Sequence, residues 1–209
     1  MYMLPKLILA GAIVATLAAF LFLIPKQKNV STITKPIVFL GNSITAGQGA
    51  RPGEDFPSLI GKELNVPIIN AGVSGNTTGD ALLRINEDVI SRNPSIVVVE
   101  LGGNDLLEHV DIEVTKRNLD LIFTKIKPTG AKIVILGINF FLFQKNYETD
   151  WQAFAKKYDA IYVPNILEGI ITDESLKFDD IHPNARGYQK IAERLTPIIA
   201  ATLKKTESK

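Results

Sequence analysis

Beyond Lys35 the chain alternates short, continuous apolar runs with longer segments whose apolar positions recur at helical spacing. Ile37-Val38-Phe39-Leu40 reads as a buried strand closed by Gly41. Phe56 to Leu64 follows as a helix and Val66 to Asn70 as a short strand. Asp80 to Ser91 is helical through Leu82, Leu83, Val89 and Ile90, and leads to the β-branched run Ile96 to Val99, ended by Gly102-Gly103. Val114 to Ile126 is a helix through Leu119, Ile122, Phe123 and Ile126, stopped by Pro128 and Gly130. Ile133 to Leu136 is a fourth strand closed by Gly137, Trp151 to Tyr158 a helix, and Ala160 to Val163 a fifth strand. Gly187 to Leu203 closes the chain as an amphipathic helix in spite of Pro197.

Continuous apolar strands, rather than alternating ones, are buried on both faces, and helices between them make the crossovers that parallel pairing requires. The pattern predicts an α/β domain over residues 36–209: a three-layer α/β/α, flavodoxin-like arrangement around a five-stranded parallel sheet with right-handed crossovers. Such sheets bind ligands beyond the carboxyl ends of their strands. Ser43 follows the first strand there, Gly75 the second and Asn104 the third.

Ahead of this domain, Leu7 to Ile24 is apolar except for Thr16, with Lys6 before it and Pro25-Lys26-Gln27-Lys28 after. As a helix, its roughly 18 residues extend about 27 Å, close to the ~30 Å of a bilayer core. A cleaved signal carries a shorter apolar stretch and a small-x-small site. This run ends in Phe20-Leu21-Phe22-Leu23-Ile24, so residues 1–24 are expected to be an uncleaved signal-anchor, ahead of a cleaved signal peptide or a buried soluble helix. Residues 25–35 form a polar linker. The flanking lysines do not set an orientation.

Charge and composition narrow the chemistry. With 23 basic and 22 acidic residues in 209, the net charge is +1, which gives no case for nucleic acid as a partner. The absence of cysteine excludes disulfides, a thiolate nucleophile and a zinc–cysteine site.

The densest chemical signal is Asp179-Asp180-Ile181-His182-Pro183-Asn184, where acids lie two and three residues before one of only two histidines. A hydroxyl nucleophile needs a base within hydrogen-bond reach, and the base needs a partner that fixes its tautomer. Ser43, in Gly41-Asn42-Ser43-Ile44-Thr45-Ala46-Gly47, is the candidate nucleophile, although serine at that place is also an ordinary helix cap. His182 is the candidate base, in preference to His109. Residue chemistry alone leaves the orienting acid open between Asp179 and Asp180. Gly75, in Gly72-Val73-Ser74-Gly75-Asn76-Thr77, has no side chain to obstruct its N–H. Asn104, in Gly102-Gly103-Asn104-Asp105, offers a neutral amide donor. With the Ser43 N–H they make three potential donors to an oxyanion.

Taken together and in this order, the four blocks resemble those of the SGNH (GDSL-type) hydrolases over roughly residues 36–204, closest to the thioesterase/lysophospholipase branch. The resemblance implies the SGNH hydrolase fold, with Ser43 as nucleophile, His182 as base and Asp179 as orienting acid. It implies an oxyanion hole from Ser43, Gly75 and Asn104, and an acyl-enzyme route that uses neither cofactor nor metal. One position departs from the family pattern: Asn42 stands where the family usually has Asp. The implied activity is hydrolysis of carboxylic esters or thioesters, lysophospholipids among them, with carbohydrate or cell-wall O-deacetylation as the alternative. By analogy with exported members, the catalytic domain is expected outside the cytoplasm, anchored in the membrane or exported if the leader is cleaved. Leu106-Leu107 and Phe140 to Phe143 are candidate walls for an acyl groove. A phosphate-binding, flavodoxin-like module is the rival reading, but no Walker-type lysine follows Gly47, and it gives Asp179 and His182 no role.

Overall fold

The computed structural model describes residues 35–138 and 148–207. In chain order the elements are β1 (Ile37–Gly41), α1 (Ser43–Ala46), α2 (Phe56–Leu64), β2 (Ile68–Gly72), α3 (Thr78–Asp88), β3 (Ile96–Glu100), α4 (Gly103–Leu107), α5 (Ile112–Ile126), β4 (Lys132–Leu136), α6 (Glu148–Tyr158), β5 (Ile161–Val163) and α7 (Ala185–Glu207). Single 3-10 turns follow α3 and α5. The described residues form one compact unit.

All five strands run parallel in the order β2-β1-β3-β4-β5. The chain winds outward from β1 to β2, then crosses back to place β3 on the other side of β1. That reversal puts the carboxyl ends of β1 and β3 side by side, with Gly41 paired to Glu100. A crevice at such a reversal is where open α/β sheets hold their ligands.

Every position of β1 and β3 is buried, which is why both read as unbroken apolar runs. Ile37, Phe39, Ile96 and Val98 face α2 and α7 through Phe56, Ile60, Tyr188, Ile191 and Leu195. Val38, Leu40, Val97 and Val99 face α3, α5 and α6 through Ala81, Ile85, Leu119, Phe123 and Trp151. Each such side chain withdrawn from water contributes on the order of 1.5–3 kcal/mol. Only Glu100 breaks the apolar character of these two strands, and it too is buried.

Boundaries differ from the sequence reading for local reasons. β2 begins at Ile68, because the Val66 N–H is given to the Gly61 carbonyl at the left-handed C-cap of α2 and Pro67 has no N–H to give. α3 starts at Thr78, where Thr77 and Asp80 form a reciprocal capping box. The short helix α4, at residues to which the sequence reading assigned no element, is entered through Gly102 at φ 103°. Among the described residues no helix is long and apolar enough to cross a membrane. The apolar segment 7–24, residues 25–34 of the linker and the aromatic run Phe140 to Phe143 all lie outside the described residues.

Candidate active site

The turn that carries Ser43 is built by close packing. A side chain on Gly41 would lie 2.0 Å from Thr45 Oγ1 and 2.9 Å from the Glu100 carbonyl oxygen, so only glycine lets the chain leave β1 here. Asn42 caps α1, its Oδ1 accepting from the Ile44 N–H at 2.9 Å. Gly47 at φ 87° ends the helix after a single turn. Ser43 is thereby held at the rim of the sheet, 8% exposed.

The opposite wall comes from the loop before α7. Asp179 Oδ1 accepts the backbone N–H groups of Ile181 at 3.0 Å and His182 at 2.8 Å, closing a tight turn. This is the physical content of the Asp-x-x-His spacing: the carboxylate that shapes the turn also meets the imidazole ring. His182 Nδ1 lies 2.9 Å from Asp179 Oδ1 and 2.8 Å from Oδ2. His182 Nε2 lies 2.9 Å from Ser43 Oγ. The loop is pinned from behind by Asn184, whose amide donates to the Ser175 and Lys177 carbonyls while its oxygen caps α7 at the Arg186 and Gly187 N–H groups.

The two aspartates part company here. Asp180 is 98% exposed and reaches only Lys177, at 3.6 Å. Burial would raise the Asp179 carboxyl, but the Ile181 N–H, the His182 ring and the His182 N–H outweigh it and hold the group below the usual carboxylate range. An ionised Asp179 therefore faces Nδ1, which leaves Nε2 free to accept the Ser43 proton. His109 is exposed just beyond the end of α4 with φ 57°.

A small cavity opens at Ser43, lined among others by His182, Gly103, Asn104, Leu107 and Ile181. Asn104 Nδ2 gives one hydrogen to the Asn76 carbonyl at 2.9 Å, fixing the amide with its second hydrogen uncommitted. That bond ties the third block to the second. Gly75 sits next to Asn76 rather than in the cavity lining, in a turn closed by Asn76 N–H to the Val73 carbonyl at 3.1 Å. A side chain at Gly75 would meet nothing within 4 Å, so its glycine serves φ 81° and not clearance. Of the two leucines expected to wall a groove, Leu107 lines the cavity and Leu106 does not.

Two supporting residues escaped the sequence reading. Arg84, on α3, donates to the Gly41 carbonyl at 3.1 Å, the Ala71 carbonyl at 2.9 Å and Asn76 Oδ1 at 2.6 Å, and pairs with Asp88 at 2.6 Å. It clamps the ends of β1 and β2 to the Gly75 turn. Nothing in its helical pattern announces this. Glu100 sits beneath the Ser43 turn, bonded to Asn42 and Thr45, and a lone acid ending an apolar strand was the signal available. Among the described residues no cluster of metal-ligating side chains occurs.

The model of the GDSL-like lipase/acylhydrolase family matches residues 39–190, from β1 through the start of α7. The esterase TesA of Pseudomonas aeruginosa is 29% identical over 181 residues, covering 80% of this chain and 89% of that protein. A thioesterase/protease/lysophospholipase of Escherichia coli is 25% identical over 175 residues, 78% of this chain and 84% of its own. Among solved structures, a crystal structure of TesA superposes with a TM-score of 0.74 at 28% identity, over 82% of this chain and 99% of that one. The SGNH-hydrolase family esterase AlinE4 superposes with a TM-score of 0.64 at 32% identity, over 81% of this chain and 96% of that one. A family match running through all four blocks, on a fold whose switch point gathers a serine, a histidine and an aspartate, makes this chain a member of the GDSL-like lipase/acylhydrolase (SGNH) family and a serine hydrolase of ester bonds.

Proposed function

We propose that Ser43, His182 and Asp179 form the catalytic triad, and that the Ser43 N–H, the Gly75 N–H and Asn104 Nδ2 bind the oxyanion. The observation that carries this reading is the continuous line from Asp179 through both ring nitrogens of His182 to Ser43 Oγ. Ser43 Oγ attacks the ester carbonyl carbon as its proton passes to His182 Nε2. The negative charge that develops on the carbonyl oxygen is met by the three donors, which bind it more strongly than the ground-state carbonyl. The imidazolium, stabilised by Asp179, then protonates the leaving alcohol or thiol as the tetrahedral adduct collapses to the Ser43 acyl-enzyme. Water, deprotonated by the same Nε2, releases the acid and restores the serine. Reaction with a fluorophosphonate probe should place the label on Ser43. Labelling elsewhere would overturn the assignment.

The substrates that fit best are acyl esters and thioesters of amphiphilic molecules. Leu107 and Ile181 give the cavity at Ser43 an apolar part of its lining, suited to a chain rather than a sugar. The relatives carry names of both kinds, esterase and thioesterase/lysophospholipase on one side and an acetylxylan esterase, 25% identical, on the other. A p-nitrophenyl ester series should give its highest kcat/KM at butyrate or longer. A sharp optimum at acetate would replace lipid-like substrates by O-acetylated carbohydrate.

A further inference from the structure

Directly behind Ser43 lies a titratable group that the triad chemistry does not use. Glu100, the last residue of β3, is 1% exposed. Its Oε1 accepts from Asn42 Nδ2 at 2.9 Å, and its Oε2 from Thr45 Oγ1 at 2.8 Å, with the Asn42 N–H further off at 3.5 Å. The carboxylate thus holds the residues on both sides of the candidate nucleophile. Asn42 passes the restraint on: with Nδ2 committed to Glu100, its Oδ1 must face the Ile44 N–H, which sets the direction of the first turn of α1.

We propose that Glu100 is a positioning residue whose ionised form holds the Ser43 turn in its reactive geometry, and that the amide of Asn42 lets this carboxylate titrate alone. The inference rests on Ser43 being the nucleophile.

The chemistry of the contacts supports the ionised form. The side-chain and backbone groups that Asn42 and Thr45 aim at the carboxylate are all donors in this geometry, and a carboxylate accepts all of them. Protonation puts a hydrogen on one oxygen. Oε1 faces an amide nitrogen that can only donate, which favours the proton on Oε2. There it turns the Thr45 hydroxyl from donor to acceptor and meets the Asn42 N–H head on. Asn42 matters equally. An aspartate in its place would set a second carboxyl about 3 Å from the first, and two acids that close share one proton. The amide supplies a permanent donor instead.

The surroundings leave Glu100 titrating near neutrality. Burial raises it to about 7, against the hydrogen bonds of Thr45 and Asn42, which lower it. From α7, the Tyr188 phenol faces it and donates to the Gln48 carbonyl; burial and the charges of Glu100, Asp55 and Asp179 push that phenol up, so it stays neutral. From α3, the Arg84 guanidinium approaches only as far as the Gly41 carbonyl. From the opposite loop come His182 and Asp179, which hold each other.

The test compares kcat/KM of the intact protein and its Glu100→Gln variant on one p-nitrophenyl ester across pH. Glutamine keeps the shape and mimics the protonated acid. The ratio of wild type to variant should rise from near one at about pH 5.5 to about 10- to 100-fold at about pH 8.5, carried by kcat with KM unchanged. Its midpoint should lie near pH 7. Taking the ratio removes the pH effects that both proteins share. A ratio that does not vary with pH would reduce Glu100 to a structural role and overturn the proposal. Stability provides a second readout: folded Glu100 keeps a proton that the unfolded chain releases, so stability falls as pH rises from about 4.5 through about 7, and Glu100→Gln removes that fall. Asn42→Asp supplies an independent test if Glu100→Gln does not fold. While the resulting carboxyl pair holds one proton, the introduced acid donates to Glu100 as the amide did and turnover persists. At alkaline pH the proton leaves, two buried charges face each other and turnover drops, a decline that wild type lacks. An unchanged alkaline limb overturns the proposal. Fluorophosphonate labelling of the wild type tells the two failures apart: a label away from Ser43 sinks the nucleophile, whereas a flat ratio with Ser43 labelled sinks Glu100.

Discussion

Ser43→Ala should lower kcat on any ester by about a million-fold and leave the fold in place, because removing one member of a nucleophile–base pair costs nearly as much as removing all of it. The loss is chemical. His182 keeps its bonds to Asp179, and α1 keeps its Asn42 cap, so the only structural loss is the Ser43–His182 hydrogen bond. Such a bond contributes about 0.5–1.5 kcal/mol net. Ser43 is nearly buried, but alanine lacks only the hydroxyl oxygen and opens no void of consequence. A residual rate about 10³- to 10⁴-fold above water should survive, since the oxyanion donors and the binding cavity remain. His182→Ala should fall to about the same level, and the double variant no further, because neither group acts without the other. Steady-state hydrolysis beside a thermal melt checks this. Parent-like turnover in a folded Ser43→Ala protein would require another nucleophile.

What the sequence could show of the fold follows the degree of burial. β1 and β3 are covered on both faces, so their apolar runs mark them almost to the residue. β2 is an edge strand in which Ala71 is buried but Asn70 is exposed and Ile68, Ile69 and Gly72 are half-buried, and there the apolar pattern misplaces the start by two residues. Helix ends moved where a cap outranked periodicity, as at Thr77. The site divides in the same way. Residues that act through a short local motif were legible, because Asp179 and His182 meet within one turn and Ser43 follows its strand directly. Residues that act across the sheet were not. Arg84 reaches Gly41 over 43 positions and Glu100 reaches Asn42 over 58, and no spacing rule links them. The meaning of Asn42 lay beyond the sequence for the same reason. As a neighbour of serine it looked like an isolated loss of charge, whereas in the fold it is the donor that a buried carboxylate requires.

Asp179→Asn should reduce kcat about 10⁴-fold while Asp180→Asn stays within about twofold of wild type, the former being the cost of presenting the wrong imidazole tautomer. Asp179 Oδ1 already accepts two backbone N–H groups, which fix the oxygen end of an asparagine there. The amide nitrogen then occupies the Oδ2 position, 2.8 Å from His182 Nδ1, and donates to it. Nδ1 becomes the acceptor, the ring proton moves to Nε2, and Nε2 can no longer take the proton of Ser43 Oγ. The turn itself survives, so the loss should fall on kcat with the melting temperature nearly unchanged. Asp180 has no such position: its carboxylate is in solvent near Lys177, and water screens an exposed pair of that kind. Equal losses at the two positions would mean that the charge of the loop matters and not the tautomer. The acid limb separates the alternatives further. Asp179 is held below the usual carboxylate range, so its charge is present above its ordinary value of 3.8 and is lost only as pH falls through its lowered one. A decline of wild-type activity at higher pH than that has a cause other than the Asp179 charge.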